Sequence, residues 1–399
     1  MHFWIYTMKR IVIVSACRSP IGKLQGKLLS LTAPQLCSKV IENVLKLSKV
    51  EPSQVDEVIL GNVISAGIGQ SPARQAALSG GLPNTVAALT INKVCASGLK
   101  AVTLGAQAIS LEESEIVIAG GMESMSNAPF LLREMRKGKK LGDSKVIDSL
   151  IIDGLWDCYN NVHMGTLCEL TADKYKITRE EQDNFALQSH KKAAEATRSG
   201  RFKEEIVPVS VKKGRHEDVV DTDESIRYDT NIEQLSTLKP AFSDKGTITA
   251  GNAPGLNDGA AALLIMSEET AGKLNLQPIA EIIGYASAHV DPKWFTIAPV
   301  NAVNRLLKKT SFKIEDFDLI EVNEAFSAQA LAVIKDLCLD PAKMNVNGGA
   351  IALGHPIGAS GARILVTLIH ALRQRKKESG LATLCLGGGG AMSIAVKAL

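Results

Sequence analysis

The hexapeptides Cys95-Ala96-Ser97-Gly98-Leu99-Lys100 and Gly358-Ala359-Ser360-Gly361-Ala362-Arg363 lie far apart in the chain but align around a shared Ala-Ser-Gly. A similar apolar segment precedes each hexapeptide, at 55–59 and at 317–320. Another apolar segment follows each one and ends in glycines, at 119–121 and at 386–388. Three matched features in the same order predict that the chain contains a duplicated structural unit.

Short apolar runs bounded by glycine or polar residues predict buried parallel strands along the whole chain. The runs cover 11–14, 57–60, 115–119, 261–265, 319–322 and 383–386. Helical patterns between them cover 32–47, 98–110 and 360–375. This alternation predicts an α/β fold with right-handed crossovers, built from two similar halves.

The interval 124–249 interrupts the alternation, with a basic stretch over 133–145 and a polar helical pattern over 178–199. We therefore predict three parts. Residues 8–123 and 250–275 form the first half, residues 124–249 form an insertion, and residues 276–399 form the second half. Insertions on α/β scaffolds often supply ligand contacts, so the insertion is expected to bind ligand and other subunits.

Composition excludes several classes of protein. The net charge is only +3, whereas nucleic-acid binders show a strong basic excess. No apolar run reaches the roughly 18 residues that a membrane-spanning helix needs. Neither end of the chain matches a targeting signal, so the cytoplasm is the expected location, and Met1 and Met8 are both candidate start residues.

The seven cysteines include no CxxC pair, and their odd number argues against a disulfide framework or a zinc site. Free thiols in a reducing compartment fit this pattern better, and no metal site is predicted. Two of the cysteines, Cys95 and Cys385, have sequence neighbours that suggest a catalytic role.

Cys95 lies where a strand gives way to a helix, and small residues surround it. A sulfur near a helix N-terminus is expected to have a lowered pKa, because free amides and the helix dipole favour the thiolate. The alternative is a buried structural cysteine.

His355 lies in the glycine-rich run 347–361, which is flexible enough to approach a ligand closely. Histidine is the usual base near neutral pH. The alternative is a phosphate-binding loop with an incidental histidine, but the glycine spacing matches neither a P-loop nor a dinucleotide loop.

Cys385 ends an apolar run and precedes the four glycines 387–390, whose amides could stabilise an oxyanion. It could equally be a core cysteine. The run 321–326 places two acids and the amide Asn323 after a strand, and taken alone it resembles a simple turn with a helix cap.

Together, these four motifs resemble those of the thiolase family, in the same order and over nearly the whole chain. The segments 120–126, 163–166 and 249–253 share the resemblance, which is greatest to the acetyl-CoA acetyltransferases of that family. It implies a layered α-β-α-β-α fold of duplicated halves with a large loop-domain insertion in the first half. It also implies a reversible condensation of two acetyl-CoA to acetoacetyl-CoA and CoA.

The resemblance implies a role for each candidate catalytic residue. Cys95 would carry the acyl group, and His355 would activate Cys95 or the thiol of CoA. Cys385 would remove and return the α-proton. Asn323, through a water, would hold the enolate oxygen together with His355, and the amides of Cys95 and Gly387 would form a second oxyanion hole.

No tightly bound cofactor is implied, since CoA is itself substrate and product. Apolar residues are expected along the pantetheine arm, and Arg227 against the adenine nucleotide. The implied CoA contacts are Leu155, His163, Met164, Arg227, Ala250, Gly251, Ala253, Leu256, Ala325 and Phe326.

The sequence also departs from the family pattern. Pro254 replaces a serine that is common in biosynthetic relatives, and Trp294 and Phe295 are larger than the usual residues. Acyl chain length therefore stays open. The basic stretch 133–145 falls where tetrameric relatives join their dimers, which predicts a homotetramer, with a dimer as the alternative.

Three other functions are alternatives to the condensation of acetyl-CoA. A degradative 3-ketoacyl-CoA thiolase of β-oxidation would use the same residues on longer chains. A condensing enzyme acting on acyl carrier protein is less consistent with a second cysteine at position 385. A non-catalytic lipid-binding module would have no need for all four motifs.

Overall fold

The computed structural model of the protein describes residues 9–214 and 216–399. Both candidate start residues, Met1 and Met8, lie outside this range, as does the first residue of the predicted first half. Within the described ranges, no helix combines the length and the apolar character that crossing a membrane requires.

The structure consists of sixteen strands and eleven α-helices over its described residues. The strands are β1 (Ile11–Arg18), β2 (Gly22–Lys23), β3 (Glu57–Gly61), β4 (Ala87–Ile91), β5 (Ile116–Ser124), β6 (Phe130–Leu131), β7 (Ile147–Asp148), β8 (Trp156–Asp157), β9 (Val162–His163), β10 (Val209–Lys213), β11 (His216–Val220), β12 (Asn257–Ser267), β13 (Ala280–His289), β14 (Leu319–Val322), β15 (Ser379–Leu386) and β16 (Gly390–Ala398). The helices are α1 (Ala33–Ser48), α2 (Pro72–Ser79), α3 (Ser97–Ser110), α4 (Met164–Tyr175), α5 (Arg179–Arg198), α6 (Ile232–Ser236), α7 (Glu268–Lys273), α8 (Ala298–Thr310), α9 (Ser327–Leu337), α10 (Ala350–Leu353) and α11 (Ile357–Gln374).

The main sheet has the order β14-β15-β16-β13-β1-β12-β5-β3-β4, with β2 alongside β12. Its two ends repeat one arrangement. In the first half, β3 runs parallel to β5, which is antiparallel to β12, which is antiparallel to β1. In the second half, β14, β15, β16 and β13 follow the same pattern. The halves join where β1 pairs with β13, so the predicted duplication is confirmed.

Helices cover both faces of each half and give five layers. Helices α1 and α2 pack on the outer face of the first half, and α8 and α9 on the outer face of the second. Helices α3 and α11 fill the space between the halves and share one core with both inner faces. The α-β-α-β-α layering is therefore confirmed.

The directions of several strands differ from the prediction. The apolar runs at 11–14 and 261–265 were expected in parallel strands, but β1 and β12 pair antiparallel with each other and with their other neighbours. A strand covered by helices on both faces is continuously apolar whichever way it runs, so composition does not reveal its direction.

Helix ends follow local capping chemistry. The side chain of Thr32 accepts a hydrogen bond from the amide of Gln35, and that of Thr178 accepts from the amide of Glu181. The side chains of Gln35 and Glu181 accept hydrogen bonds in turn from the amides of Thr32 and Thr178, which completes two capping boxes. These caps explain why α1 and α5 begin within one residue of the predicted positions.

The chain between β5 and β12 packs against both halves, since Val207, Val209 and Val220 join the first-half core that contains α1 and α2. Cys168 and Ala172 of α4 contact Ala328 of α9. Ala193 and Ala194 of α5 share a core with the short helix α10. The segment carrying the insertion therefore bridges the duplicated halves at the end where α11 begins.

The two ends of the main sheet differ. The outer side of β14 is covered, because the amide of Ile320 donates to the carbonyl of Lys343 at 2.9 Å and the amide of Asn345 to that of Ile320 at 2.9 Å. The outer strand β4 is more open, with Leu89 43% exposed. Only the first half therefore offers an uncovered strand edge among the described residues of this sheet.

Helices α3 and α11 touch through the glycines of the two repeated hexapeptides. A Cβ atom on Gly98 would lie 2.8 Å from the amide nitrogen of Ala362, and one on Gly361 would lie 2.6 Å from that of Leu99. Both distances are too short for a carbon contact, and the obstructing atoms are backbone. The glycines therefore allow the two helix starts to approach each other closely.

We predict that Gly361→Ala destabilises the protein by about 1–3 kcal/mol, because the added methyl group forces the two helices apart. Gly272→Ala is the matched control, since that glycine is exposed in α7 and a Cβ there meets nothing within 4 Å. The control should stabilise by about 0.5–1 kcal/mol. Calorimetric melting temperatures of both variants check this, and equal or raised values for Gly361→Ala would contradict it.

Candidate active site

A cavity of about 270 Å³ lies where the two halves and the inserted segment meet. It is lined by Val94, Cys95, Met125, Ile151, Gly154, Leu155, His163, Met164, Phe242, Ala253, Pro254, Gly255, Leu256, Phe295, Ala325, Phe326, His355, Ile357, Cys385 and Gly387. Four residues singled out for chemistry, Cys95, His355, Cys385 and Gly387, thus share one space. The rest of the lining is largely apolar.

Cys95 is presented by a tight turn between β4 and α3. Val94 has a φ of 49°, which is rare for a β-branched residue and indicates local strain. Ser97 stabilises the turn, because its Oγ accepts from the amide of Lys93 at 2.8 Å and donates to the carbonyl of Val94 at 2.7 Å. The turn places the sulfur at the cavity wall, just ahead of α3.

Burial raises the pKa of the Cys95 thiol to about 12, although the amides of Gly387 and of Cys95 itself donate to the sulfur and oppose the shift. The lowered pKa expected from the helix start is therefore wrong. The sulfur lies in an apolar cavity. There, desolvation of a thiolate costs more free energy than the amides and the helix dipole contribute to its stability. Near neutral pH Cys95 is a thiol.

His355 lies between α10 and α11 and is held through its ring. Its Nδ1 is 2.5 Å from Oγ of Ser360, and that hydroxyl donates its only proton to the carbonyl of Pro356 at 2.8 Å. Nδ1 must therefore carry the proton and donate to Ser360, which leaves a lone pair on Nε2. Burial and the charge of Arg363 lower the pKa of His355 to about 4, so the imidazole is neutral at pH 7.

Asn323 lies behind the histidine, outside the cavity lining. Its Nδ2 is 3.4 Å from Nε2 of His355, whose lone pair can accept from it. Its Oδ1 is buried and has no hydrogen-bond partner among residues 9–214 and 216–399. Asn323 thus has an acceptor available next to the imidazole.

Cys385 is the second-last residue of β15 and is fully buried. It packs with Met164, Leu167, Phe295 and Ala325. Burial and the neighbouring Cys95 sulfur raise the pKa of the Cys385 thiol well above its usual range. The site at rest therefore contains two protonated thiols and a neutral imidazole.

The glycines after Cys385 form a turn that returns the chain into β16. Gly388 and Gly389 have φ values of 79° and 80°, in the left-handed region. A Cβ on Gly389 would lie 2.3 Å from the carbonyl oxygen of Val290. This turn directs the amide of Gly387 toward the sulfur of Cys95.

Seven of the ten residues expected to contact CoA line the cavity: Leu155, His163, Met164, Ala253, Leu256, Ala325 and Phe326. The ring of His163 stacks on Phe242 at 4.7 Å between centroids, and Phe242 meets Phe326 edge-on. Aromatic and apolar surfaces therefore form one wall of the cavity.

The other three residues lie outside the cavity but close to one another. The Nη2 of Arg227 donates to the carbonyl of Ala250 at 3.0 Å. Arg227 is exposed and borders a surface depression of about 310 Å³ together with Leu235 and Leu238. A Cβ on Gly251 would meet the same two leucines at 2.7 and 2.6 Å.

Several lining residues were not predicted by the sequence analysis. Ile151, Gly154 and Phe242 are apolar or glycine and resemble ordinary core residues, whereas Val94, Met125, Gly255 and Ile357 lie in or beside recognised motifs but had no role assigned. Ile151 and Gly154 lie in a π-helical turn, Leu150–Leu155, a rare conformation that often occurs at functional sites. Among the departures from the family pattern, Pro254 and Phe295 line the cavity, whereas Trp294 lies beside Lys174 instead.

Comparison with known proteins gives consistent matches along the chain. The family profile described as the thiolase N-terminal domain matches residues 11–269, and that of the thiolase C-terminal domain matches residues 276–398. A crystal structure of the acetyl-CoA acetyltransferase of Bacillus anthracis superposes with a TM-score of 0.97 at 47% identity, covering 98% of this chain and 99% of that one.

Curated relatives match over the same length. The acetyl-CoA acetyltransferase of Cupriavidus necator is 52% identical, over 98% of this chain and all of that protein. The enzyme of the same name from Pseudomonas aeruginosa is 53% identical over 96% and 98%. A probable acetyl-CoA acyltransferase of Staphylococcus aureus is 51% identical over 98% and 99%. The chain therefore belongs to the thiolase family.

Proposed function

We propose that this chain is an acetyl-CoA C-acetyltransferase, which reversibly converts two acetyl-CoA to acetoacetyl-CoA and CoA through an acyl group on Cys95. The observation that carries the proposal is the convergence of Cys95, His355 and Cys385 on one apolar cavity. The acetyl-CoA acetyltransferases named above, which match 96–98% of the chain, support the choice of substrate.

Cleavage begins at Cys95. Its thiol proton passes to the lone pair on Nε2 of His355 while the sulfur attacks the 3-keto carbon of acetoacetyl-CoA. The bond between C2 and C3 then breaks, which leaves an acetyl group on Cys95 and the enolate of acetyl-CoA. Cys385 gives its thiol proton to the enolate carbon, and its raised pKa keeps that proton available at neutral pH.

Acetyl transfer completes the cycle. The Cys385 thiolate takes the proton of the CoA thiol as the CoA sulfur attacks the acetyl group on Cys95. The Cys95 sulfur leaves and recovers its proton from His355. Condensation is the reverse sequence, and exchange between thioesters suits a reversible reaction because both sulfurs are good nucleophiles and leaving groups.

Two sets of donors stabilise negative oxygen in this scheme. The amides of Cys95 and Gly387 hold the oxygen of each tetrahedral intermediate at Cys95. The protonated Nε2 of His355, with a water on Oδ1 of Asn323, holds the enolate oxygen. Loss of one donor from such a site typically costs about 2.7–4 kcal/mol.

CoA enters along the inserted segment in this proposal. Its pantetheine arm runs along the apolar wall that contains Leu155, Met164 and Phe326, and its adenine nucleotide lies against Arg227. Residues 124–249 then form the inserted loop domain, with residues 8–123 and 250–275 as the first half and 276–399 as the second.

We further propose a homotetramer. The open edge of β4 offers a surface on which two copies can pair by symmetry. The stretch 133–145 adds a basic surface, and exposed apolar side chains occur on and beside it, among them Leu132, Met135 and Leu141. Such a patch is typical of a second protein contact, here between two dimers.

Acetoacetyl-CoA should be the preferred substrate over 3-ketohexanoyl-CoA, measured as kcat/KM in thiolysis. Phe295 is buried against Cys385 and fills the space that a longer acyl chain would need. Phe295→Ala should shift the ratio toward the longer substrate by about tenfold, since pocket size discriminates methylenes at about 1–3 kcal/mol. A strong wild-type preference for the longer chain would identify a degradative thiolase instead.

Cys95→Ala should abolish turnover, because the variant lacks the thiol that carries the acyl group in the proposed mechanism. Cys385→Ala should lower thiolysis by about 10²–10⁴-fold, the usual contribution of a general acid or base. Acyl transfer from acetyl-CoA to Cys95, followed by mass spectrometry, should be affected less. The exposed Cys338 supplies the control, since Cys338→Ser should leave both reactions unchanged. Full activity of Cys95→Ala would refute the nucleophile.

The rate of Cys95 alkylation by iodoacetamide should rise about tenfold per pH unit between about pH 7 and 9, because the thiolate of a group with a pKa near 12 grows in that proportion. Peptide mass spectrometry separates alkylated Cys95 from the other alkylated thiols. A plateau in alkylation near pH 7 would show a thiolate at rest and contradict this prediction.

The pH profile of kcat/KM should fall on its acid side near pH 4, because the imidazole of His355 loses its base form below that pH.

A further inference from the structure

The proposed nucleophile and its base lie on opposite halves of the fold. Cys95 precedes α3 in the first half, and His355 precedes α11 in the second. A proton can pass between them only if the segment 355–358 has a fixed position against the first half. Two buried side chains of the first half bind backbone amides of this segment.

Asn257, the first residue of β12, holds one end of the segment. Its side chain is fully buried, and its Oδ1 accepts from the amide of His355 at 2.9 Å. Its Nδ2 donates to the carbonyl of Gly22 at 2.8 Å and to Oγ of Ser225 at 3.0 Å. A Cβ on Gly354 would lie 2.6 Å from Nδ2, so the loop packs directly on this amide. Asn257 is thus itself fixed while it holds His355.

Glu123, in β5, holds the other end. Its Oε2 accepts from the amides of Gly358 at 2.9 Å and Val63 at 3.1 Å. Its Oε1 accepts from the amide of Ile64 at 3.1 Å and from Nδ2 of Asn62 at 2.9 Å. All four partners are donors, which suits a carboxylate anion, whereas burial raises the pKa of Glu123 to about 7. Gly358 lies in the first turn of α11, where the helix dipole also favours a negative charge.

We infer that Asn257 and Glu123 are positioning residues, which set the imidazole of His355 against the sulfur of Cys95 by holding the amides of His355 and Gly358. The inference rests on the proposed roles of Cys95 and His355. Neither positioning side chain lines the cavity, so neither is expected to touch substrate.

Asn257→Ala and Glu123→Ala should each lower the kcat of acetoacetyl-CoA thiolysis by about 10- to 100-fold, because a displacement of about 1 Å at the reacting groups costs that much. The KM should stay within about twofold, since the cavity lining is unchanged. A kcat loss without a KM change is not expected from general loosening of the fold.

His370→Ala is the matched control. His370 lies on the same helix, α11, and its Nε2 is 2.9 Å from the carbonyl oxygen of Ala16 in the first half. The variant removes a buried contact between the halves far from the segment 355–358. It should lower Tm and leave kcat unchanged. If the alanine variants at 257 and 123 also lose Tm but keep kcat within about twofold, the inference is wrong.

Conservative variants decide the question if the alanine variants do not fold. Asn257→Asp keeps an oxygen for His355, and Glu123→Gln keeps one for Gly358. In Glu123→Gln, Asn62 can rotate so that its unpaired Oδ1 accepts from the new amide, while the amide of Ile64 loses its acceptor. Each should lower kcat about three- to tenfold at constant KM, the value of one weakened hydrogen bond. Unchanged kcat in both would overturn the inference, whereas an inactive wild-type protein would refute the proposed function itself.

Discussion

The close contact between α3 and α11 determines the rest of the site. The two helices come from equivalent positions in the duplicated halves and meet through Gly98 and Gly361. Because equivalent helices meet at their starts, the residues just ahead of them also meet. Cys95 comes from one side and His355 from the other. Duplication and small residues together explain why groups so far apart in sequence share one cavity.

The cavity combines this convergence with low polarity. Its apolar lining keeps both thiols protonated and the imidazole neutral, whereas a solvated cysteine–histidine pair often exchanges its proton at rest. Charge then appears only when substrate brings an electrophilic carbonyl, and fixed amides and ring nitrogens meet it where it forms. Such preorganised donors are most effective where water is excluded.

Much of the fold could be predicted from the sequence, for physical reasons that differ between elements. Helices α1 and α5 begin at capping boxes that are visible in the sequence, and β14 matches its apolar run over 319–322. The directions of β1 and β12 could not be predicted from the sequence, because burial on both faces removes any alternation of apolar and polar residues.

The cysteines and the histidine of the site could be recognised in the sequence, because few residue types share their reactivity. Ile151 and Phe242 could not be recognised, since apolar side chains look alike in a core and in a cavity. The pKa of Cys95 had the wrong sign because it depends on surroundings that only folding supplies.

The duplication is incomplete at the edge of the main sheet. The counterpart of β4 in the second half is reduced to a bridge between Ile320 and Met344, and neighbouring backbone groups cover that end of the sheet. A protein with two equivalent open edges could join copy to copy without limit and grow into a fibre. A single open edge cannot pair with a third copy once two copies have paired through it across a twofold axis. In the proposed assembly, the imperfect repeat thus limits pairing at this edge to two copies.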